Sequence, residues 1–322
     1  MRQRAGSIFI ALALAARASA QDVPAVDHHQ HLYSPAIAAL ISPPPPAARI
    51  TPIDASDLIS LLDAADIRKS VVLSVAYIYG QPTRTVDDEY EKVKAENDWT
   101  STQVARYPDR LIGFCGVNPL KDYALAELTR CTKDPHLRRG LKLHIGNSGV
   151  DYHNQQHIEQ LRRVFRAAND NRMPIVIHLR ASYSQQLAYG ADEARIFLHE
   201  LVPAAPDVII QIAHLAGGGA PGDAAAQEAL RVFADAVADH EPATKNLYFD
   251  VSVGVTPRTT PDDARLVVAA MRRIGMARIL YGSDGAAGGN PPPREAWAAF
   301  RQLPLTSEEF RAIARNVAPY LR

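Results

Sequence analysis

The sequence has few cysteines, no excess of charge of either sign and no apolar run long enough to cross a bilayer. Its two cysteines, Cys115 and Cys131, lack the CxxC spacing of redox and zinc motifs. Lysine plus arginine and aspartate plus glutamate are balanced at 35 each. We therefore expect no nucleic-acid or membrane partner and a small molecule as the substrate.

The first twenty residues have the three-part plan of a secretory signal peptide. Arg2 and Arg4 precede an apolar run at 8–16, and the sequence ASA at 18–20 forms a small-x-small cleavage site. The run is too short to span a bilayer, although an uncleaved anchor is the alternative. We expect residues 1–20 to be cleaved, leaving one mature chain in the periplasm or the medium.

The two cysteines leave a disulfide open. Cys115 falls in a predicted strand and Cys131 in the helix that follows, so contact between them is feasible in an oxidising compartment. Two buried free thiols fit the sequence equally well, because the spacing does not fix the geometry.

Eight short runs rich in Val, Ile and Leu recur along the chain, each followed by a segment of helical period. Runs of this composition are typical of strands buried on both faces. Eight such units predict an α/β protein, a single-domain (β/α)8 TIM barrel over 21–322, with an open doubly wound sheet as the alternative. The predicted strands are 25–31, 70–77, 110–117, 139–145, 173–179, 207–215, 246–253 and 277–284, and the clearest helices are 54–67, 157–172, 228–240 and 261–275.

Three stretches interrupt this rhythm. The proline-rich segments 42–52 and 290–297 follow predicted strands, where barrel enzymes build their sites, or they are stiff surface connectors. The glycine-rich segment 216–222 lacks the Lys-Ser/Thr of a phosphate-binding loop, so we interpret it as a flexible turn.

The first predicted strand carries three histidines in four residues, in the sequence VDHHQH. His29 and His31 are two apart, so both side chains project to one face of the strand. If that face is the barrel interior, they form a metal-chelating pair. Asp27 has the same parity and is a buried partner or a ligand, whereas His28 points the other way and is expected to be a packing residue.

Other predicted strands also end in side chains that can bind a metal. His178 ends the fifth, His214 the sixth and Asp284 the eighth. Such groups are costly to bury unless they are paired or bound to a metal. Imidazole nitrogens with one carboxylate suit zinc, and also manganese or iron. The sequence therefore predicts a divalent-metal site at the carboxyl ends of the strands.

These motifs resemble a known superfamily. DHHQH fits the D-x-H-x-H pattern that opens the metal-dependent hydrolases of the amidohydrolase superfamily. The segments GLKLH, PIVIH, IIQIAHLAG, RILYGSD and NVAPYL resemble its amidohydrolase-related branch in order and in strand placement. The resemblance covers nearly the whole mature chain and implies a distorted (β/α)8 barrel with one or two divalent metals at its mouth.

The resemblance also implies roles for individual residues. His29, His31 and His178 would bind the metal. Asp284 would bind it too and would act as the base toward the metal-bound water, because a divalent metal lowers the pKa of bound water from about 16 toward 7. His214 would polarise the substrate or hold the leaving group.

Lys142 and His144 share one face of the fourth predicted strand and are ambiguous. In two-metal relatives a lysine at this place is carboxylated and bridges the metals, whereas the branch that this chain resembles is commonly mononuclear. Lys142 could instead neutralise the site or bind a substrate carboxylate. We expect one metal rather than two.

Three further residues near strand ends are candidates for substrate binding. Arg180 would lie at the rim and bind a substrate carboxylate or form a rim salt bridge. Tyr77 and Asn118 would line the wall of the site.

Together these expectations describe an exported hydrolase that holds a divalent metal, with zinc expected and manganese or iron as alternatives. Metal-activated water would attack a C–N or C–O bond of a small amide or lactone. The alternative is a metal-dependent decarboxylase of the same superfamily, and a third reading is a non-catalytic periplasmic binding protein on the same barrel. A homodimer is left open.

Overall fold

The computed structural model of the protein describes residues 22–182, 184–217, 222–286 and 289–322. The expected signal peptide at 1–20 and most of the glycine-rich turn lie outside these ranges. Within them, no helix combines the length and the apolar character that crossing a membrane requires.

Eight parallel strands follow one another in chain order around a barrel. Two backbone hydrogen bonds bridge the last strand region to the first: the His28 amide donates to the Tyr281 carbonyl at 2.9 Å, and the Asp284 amide to the His29 carbonyl at 2.8 Å. This is the architecture of the predicted (β/α)8 barrel. The strands are β1 (Val26–Gln30), β2 (Lys69–Leu73), β3 (Leu111–Gly116), β4 (Leu141–His144), β5 (Ile175–His178), β6 (Ile210–Ile212), β7 (Leu247–Asp250) and β8 (Ile279–Leu280).

Helices connect the strands and cover the barrel. Those predicted at 54–67, 157–172, 228–240 and 261–275 form with ends shifted by a few residues. The α-helices are α1 (Pro35–Ile41), α2 (Ala55–Ala64), α3 (Glu89–Ala105), α4 (Ala124–Cys131), α5 (Ile145–Ser148), α6 (Gln155–Asp170), α7 (Ala191–Ile196), α8 (Ala224–Ala238), α9 (Pro261–Ile274), α10 (Pro293–Phe300) and α11 (Ser307–Arg315).

The proline-rich segments differ from their prediction. Residues 42–52 follow α1 rather than the first strand directly, and 290–297 run into α10. Proline fits there because Pro293 stands in the first helical turn, where a backbone donor is not needed. Trp297 in the same helix is buried, so the second segment is part of the packed fold and not a connector.

The end of the barrel opposite the strand carboxyl ends is closed by side chains. Val71, Phe114 and Val176 form a small buried cluster. The ring of Tyr320 packs on Phe114 with centroids 5.4 Å apart, and its hydroxyl donates to Gln211 Oε1 at 2.5 Å. The C-terminal segment therefore plugs this end, which leaves the carboxyl ends of the strands as the accessible mouth.

The two cysteines form a disulfide. Cys115 in β3 is bonded to Cys131 at the end of α4, across a sequence separation of 16 residues. Both are buried. The structure therefore has the disulfide and not the two free thiols that the sequence also allows.

Removing the disulfide should lower stability. Cross-linking a loop of about 15 residues restricts the unfolded chain and contributes about 3 kcal/mol. We expect the Cys115→Ala, Cys131→Ala double variant to lose about that much free energy of unfolding in urea melts. Wild-type protein in a thiol reductant should lose a similar amount, and an unchanged midpoint in reductant would contradict the bond.

A buried carboxyl group makes the stability of the protein depend on pH. Glu96 in α3 is 2 % exposed. It accepts a hydrogen bond from Ser34 Oγ at 2.5 Å, and its Oε1 has no partner among the described residues. Burial raises the pKa of Glu96 to about 7, although the Ser34 hydrogen bonds partly oppose this. The folded protein therefore keeps this carboxyl neutral at pH values where the unfolded chain ionises it.

Because the folded-state pKa of Glu96 is raised, its contribution to stability is complete below pH 4.5 and is lost as pH rises through about 7. The loss is at most about 3 kcal/mol. We expect Glu96→Gln to reduce the fall in melting temperature between pH 5 and pH 8. Glu91→Gln, on the exposed face of α3, is the control, and identical pH dependence in both variants would contradict this assignment.

Candidate metal centre

Eight polar side chains gather at the mouth of the barrel. They come from six different strand ends or the turns that follow, which is how barrel enzymes assemble sites from distant parts of the sequence. Four imidazole rings follow one another around the mouth, with centroid separations of 5.2, 4.7 and 4.9 Å. The eight are His29, His31, Lys142, His144, His178, His214, Asp250 and Asp284.

Two of these residues hold a left-handed backbone. His214 has φ of 56° and Asp284 has φ of 55°, a conformation uncommon outside glycine. β6 and β8 therefore end at Ile212 and Leu280, short of the ends predicted at 215 and 284. The prediction that His214 and Asp284 end their strands is therefore wrong. Both side chains enter the mouth from tight turns that follow the strands.

His29, His31 and Asp284 converge. Each offers one ligand atom, and these atoms lie within 4.8 Å of one another. His31 Nε2 is 3.8 Å from Asp284 Oδ1. A metal with bonds of about 2.1 Å holds its neighbouring ligands about 3 to 4 Å apart, so a small closure would complete the site. The donor set fits a divalent metal.

Hydrogen bonds orient the two ligand imidazoles. Nδ1 of His29 lies 3.0 Å from Asp250 Oδ2, and Nδ1 of His31 lies 2.6 Å from the Leu73 carbonyl oxygen. Both partners are acceptors, so each Nδ1 carries the ring proton and each Nε2 presents its lone pair. This is the tautomer that a metal-binding histidine requires.

His214 is held in the same tautomer. Its Nδ1 lies 2.8 Å from the Ser252 carbonyl oxygen, which can only accept. The ring is 4.7 Å from that of His29. Burial lowers the pKa of His214 to about 3, and the neighbouring His29 adds to this, although Asp250 opposes it. A neutral ring with a free Nε2 lone pair is a proton acceptor.

Asp250, at the end of β7, is a site residue absent from the sequence prediction. It is fully buried and accepts hydrogen bonds from Gln211 Nε2 at 2.7 Å and the His214 amide at 3.1 Å, besides those from His29 and Ser252. Burial alone would raise its pKa, but the interaction and hydrogen bond with His29 hold it below the usual range. The available signal was the aspartate within the predicted strand NLYFDVSV, at which the observed strand ends.

Lys142 in β4 is 1 % exposed, and its Nζ lies 3.3 Å from His29 Nε2. Burial lowers the pKa of Lys142, although the charges of Asp284 and Asp250 oppose this. Burial likewise raises the pKa of Asp284, and Lys142 opposes that shift. The lysine is thus a buried cation beside two carboxylates and a predicted metal ligand.

His178 and His144 lie on the adjacent wall. Their rings stack with centroids 3.9 Å apart and planes 17° apart. Tyr77 lies 5.2 Å from the His144 ring, in a 3-10 turn after β2 and not in the predicted strand. His178 is outside the group whose ligand atoms lie within 4.8 Å of one another, within the part of the chain that is described. Its role as a ligand stays a prediction.

Two other predicted substrate-binding residues contact protein groups. Arg180 Nε lies 3.0 Å from Asp223 Oδ2, which is the rim salt bridge that the sequence left as an alternative. Asn118 donates to the Gly80 carbonyl at 2.6 Å and accepts from the Leu120 amide at 2.9 Å. These contacts make Asn118 a brace between backbone segments.

The remaining residues of the DHHQH motif support the site. His28 Nδ1 bonds the Tyr281 carbonyl at 2.8 Å, and its Nε2 accepts from the Ala318 amide at 3.1 Å, so it is the packing residue that strand parity predicts. Asp27 accepts from the Ser283 hydroxyl at 2.6 Å. These bonds fasten β1 to the turn that carries the predicted aspartate ligand.

Comparison with protein families gives one match. A family model described as Amidohydrolase matches residues 26–318, nearly the whole described chain. None of the curated proteins matches the sequence.

Several solved structures have a similar fold. 5-Carboxyvanillate decarboxylase from Novosphingobium aromaticivorans, with manganese and 4-hydroxy-3-methoxy-5-nitrobenzoic acid, aligns with a TM-score of 0.63 and 14% identity over 92% of this chain and 95% of that one. 2,6-Dihydroxybenzoate decarboxylase from Rhizobium gives 0.62 and 19% over 90% and 96%. A dihydroxybenzoic acid decarboxylase from Polaromonas sp. JS666, with manganese and 2-nitroresorcinol, gives 0.61 and 18% over 91% and 94%. At these identities the likeness is one of fold.

If Asp250 sets the His29 tautomer, changing it should weaken metal binding. Asp250→Asn keeps the shape but removes the charge that favours the Nδ1 proton, and loss of such a supporting group typically costs 10- to 100-fold in metal affinity. We expect that loss in competition titrations of Zn²⁺ and Mn²⁺ against a chelating dye.

Asp63→Asn is the control for the Asp250 variant, because Asp63 lies outside the site and pairs with Arg110. A folded Asp250→Asn protein, judged by circular dichroism, that binds the metal as tightly as this control would contradict the role given to Asp250.

Proposed function

We propose that this chain, which belongs to the amidohydrolase family, is a metal-dependent carboxy-lyase that releases carbon dioxide from a small unsaturated or aromatic carboxylic acid. The decarboxylases of similar fold support this choice. It replaces the hydrolase favoured by the sequence with the alternative that the sequence left open.

The observation that carries the proposal is the position of Lys142. Its Nζ bonds His29 Nε2, the atom that a bound metal would use. With the metal in place, this buried ammonium loses that hydrogen bond and needs another acceptor, because a buried donor without a partner is costly. A substrate carboxylate supplies a charged acceptor at that point, and a neutral amide or lactone supplies a weaker one.

The His29–His31–Asp284 group would hold the ion, with His178 proposed as a further ligand. Two imidazole nitrogens and a carboxylate accept either zinc, the ion expected from the sequence, or the manganese bound by decarboxylases of similar fold. The ion would supply a Lewis acid that polarises and orients substrate oxygens. We propose one ion per chain.

Decarboxylation breaks the bond between a carbon and its carboxylate and places a proton on that carbon, with no oxidant. Asp284 is proposed to deliver this proton through the carboxylate oxygen that does not bind the ion. His214 Nε2, fixed as a lone-pair acceptor, can accept a hydrogen bond from a substrate hydroxyl and so raise the electron density at the carbon that is protonated. Lys142 would bind the reacting carboxylate.

The expected leader supports an exported enzyme, and the disulfide between Cys115 and Cys131 is compatible with an oxidising compartment. We therefore propose that the reaction takes place in the periplasm or the medium.

Product analysis tests the proposed reaction. Protein loaded with Mn²⁺ or Zn²⁺ is incubated in D₂O with hydroxybenzoates and, separately, with amides and lactones. We expect carbon dioxide and a product with one deuterium at the carbon that lost the carboxylate, and we expect Asp284→Asn to lose at least 100-fold in this rate while staying folded.

Products whose combined mass exceeds that of the substrate by one water would favour the hydrolase instead. Wild-type rates in Asp284→Asn would contradict the role of that residue. If wild-type protein loaded with either ion produces neither type of product, the proposed carboxy-lyase is wrong for these substrate classes.

A further inference from the structure

His144 differs from the other site histidines in its hydrogen bond. Its Nδ1 accepts from the backbone amide of Asn147 at 3.1 Å. A backbone N–H can only donate, so this nitrogen must hold a lone pair. The proton of the neutral ring is therefore on Nε2, the reverse of His29 and His31.

The short helix α5 holds this arrangement. His144 is its N-cap residue, and Gly149 ends it with φ of 68°, a conformation that favours glycine. A Cβ at Gly146 would lie 2.8 Å from the Arg180 carbonyl oxygen, so α5 packs closely on the loop after β5. The stack on His178 fixes the ring plane from the other side.

His144 lies near the proposed binding point of the substrate carboxylate. His144 and Lys142 lie on the same face of β4, two residues or about 6.6 Å apart along the strand. The His144 ring stacks on His178, whose ring lies 4.9 Å from that of His214, so His144 lies in the same mouth. A substrate whose carboxylate binds Lys142 therefore extends past His144.

We infer that His144 donates a hydrogen bond from Nε2 to a second oxygen of the substrate, on the side away from the reacting carboxylate. His144 is then a specificity residue and not a ligand of a second metal, because a protonated Nε2 has no lone pair to offer. The inference rests on the proposed function for the position of the carboxylate, and it restricts the substrates to carboxylic acids that carry a further acceptor oxygen.

Two substitutions of His144, by asparagine and by glutamine, distinguish the roles of its two ring nitrogens. In His144→Asn the side-chain oxygen lies near the position of Nδ1 and can still cap α5, as asparagine commonly does, but no donor reaches the position of Nε2. In His144→Gln the amide nitrogen can reach that position, and the cap is weakened. His144→Asn therefore loses the donor and keeps the cap, whereas His144→Gln keeps a donor and weakens the cap.

The binding test uses benzoate and the three monohydroxybenzoates as probes, titrated calorimetrically into zinc-loaded protein. We expect at least one hydroxybenzoate to bind wild type about 10-fold or more tighter than benzoate. In His144→Asn the affinity for the preferred hydroxybenzoate should fall much further than that for benzoate, so that the preference is lost, and His144→Gln should retain part of it. Bound zinc per chain should be the same in all three proteins.

A spectroscopic test needs no substrate. In two-bond ¹H–¹⁵N spectra of the zinc-loaded protein, the His144 ring, identified by its absence in His144→Asn, should be the neutral Nε2–H form. A proton on Nδ1, or zinc coordination at Nε2, would overturn the inference.

Three binding results would also overturn it: a preference that survives in His144→Asn, an equal loss for benzoate, or no preference among the probes in wild type. The outcome is distinguishable from failure of the proposed function. Probes that bind with the expected preference but release no carbon dioxide would contradict the carboxy-lyase and leave the donor role of His144 supported.

Discussion

The partner of Nδ1 determines what each imidazole at the mouth of the barrel can do. An acceptor at Nδ1 leaves the Nε2 lone pair for a metal or a proton, and a donor at Nδ1 leaves an Nε2–H bond for a substrate oxygen. Asp250 and the Leu73 carbonyl place His29 and His31 in the first class. The Asn147 amide places His144 in the second. Histidines at one barrel mouth are thus prepared for two different roles, as proposed metal ligands and as a proposed hydrogen-bond donor.

Barrel closure supplies these partners. Leu73 lies at the end of β2, which neighbours β1 on one side. Asp250 lies at the end of β7, which is separated from β1 by β8 on the other side. The bond between Asp27 and Ser283 fastens β1 to the turn of the predicted aspartate ligand. Because the same contacts join the strands and set the tautomers, the metal-binding geometry depends on the closed barrel and is not a property of the DHHQH sequence alone.

The sequence predicts the eight strands well, because their Val- and Ile-rich runs reflect burial on both faces. It also predicts the His29–His31 pair, which follows from strand parity. It does not predict Asp250, which bonds a residue 221 positions away, or the left-handed turns at His214 and Asp284. The opposite tautomer of His144 also escapes it, since a one-turn helix has no periodic signature. The pattern of residues along the chain does not indicate which distant residues pair or what geometry a local turn adopts.

The most direct test of this account is a crystal structure of the manganese- or zinc-loaded protein, with the ion located by anomalous scattering. We expect one ion bound by Nε2 of His29, Nε2 of His31 and the Asp284 carboxylate, with Lys142 displaced from His29. An ion bound through Nδ1 of either histidine, or two ions bridged by Lys142, would contradict the central claim that the Nδ1 partners define the site.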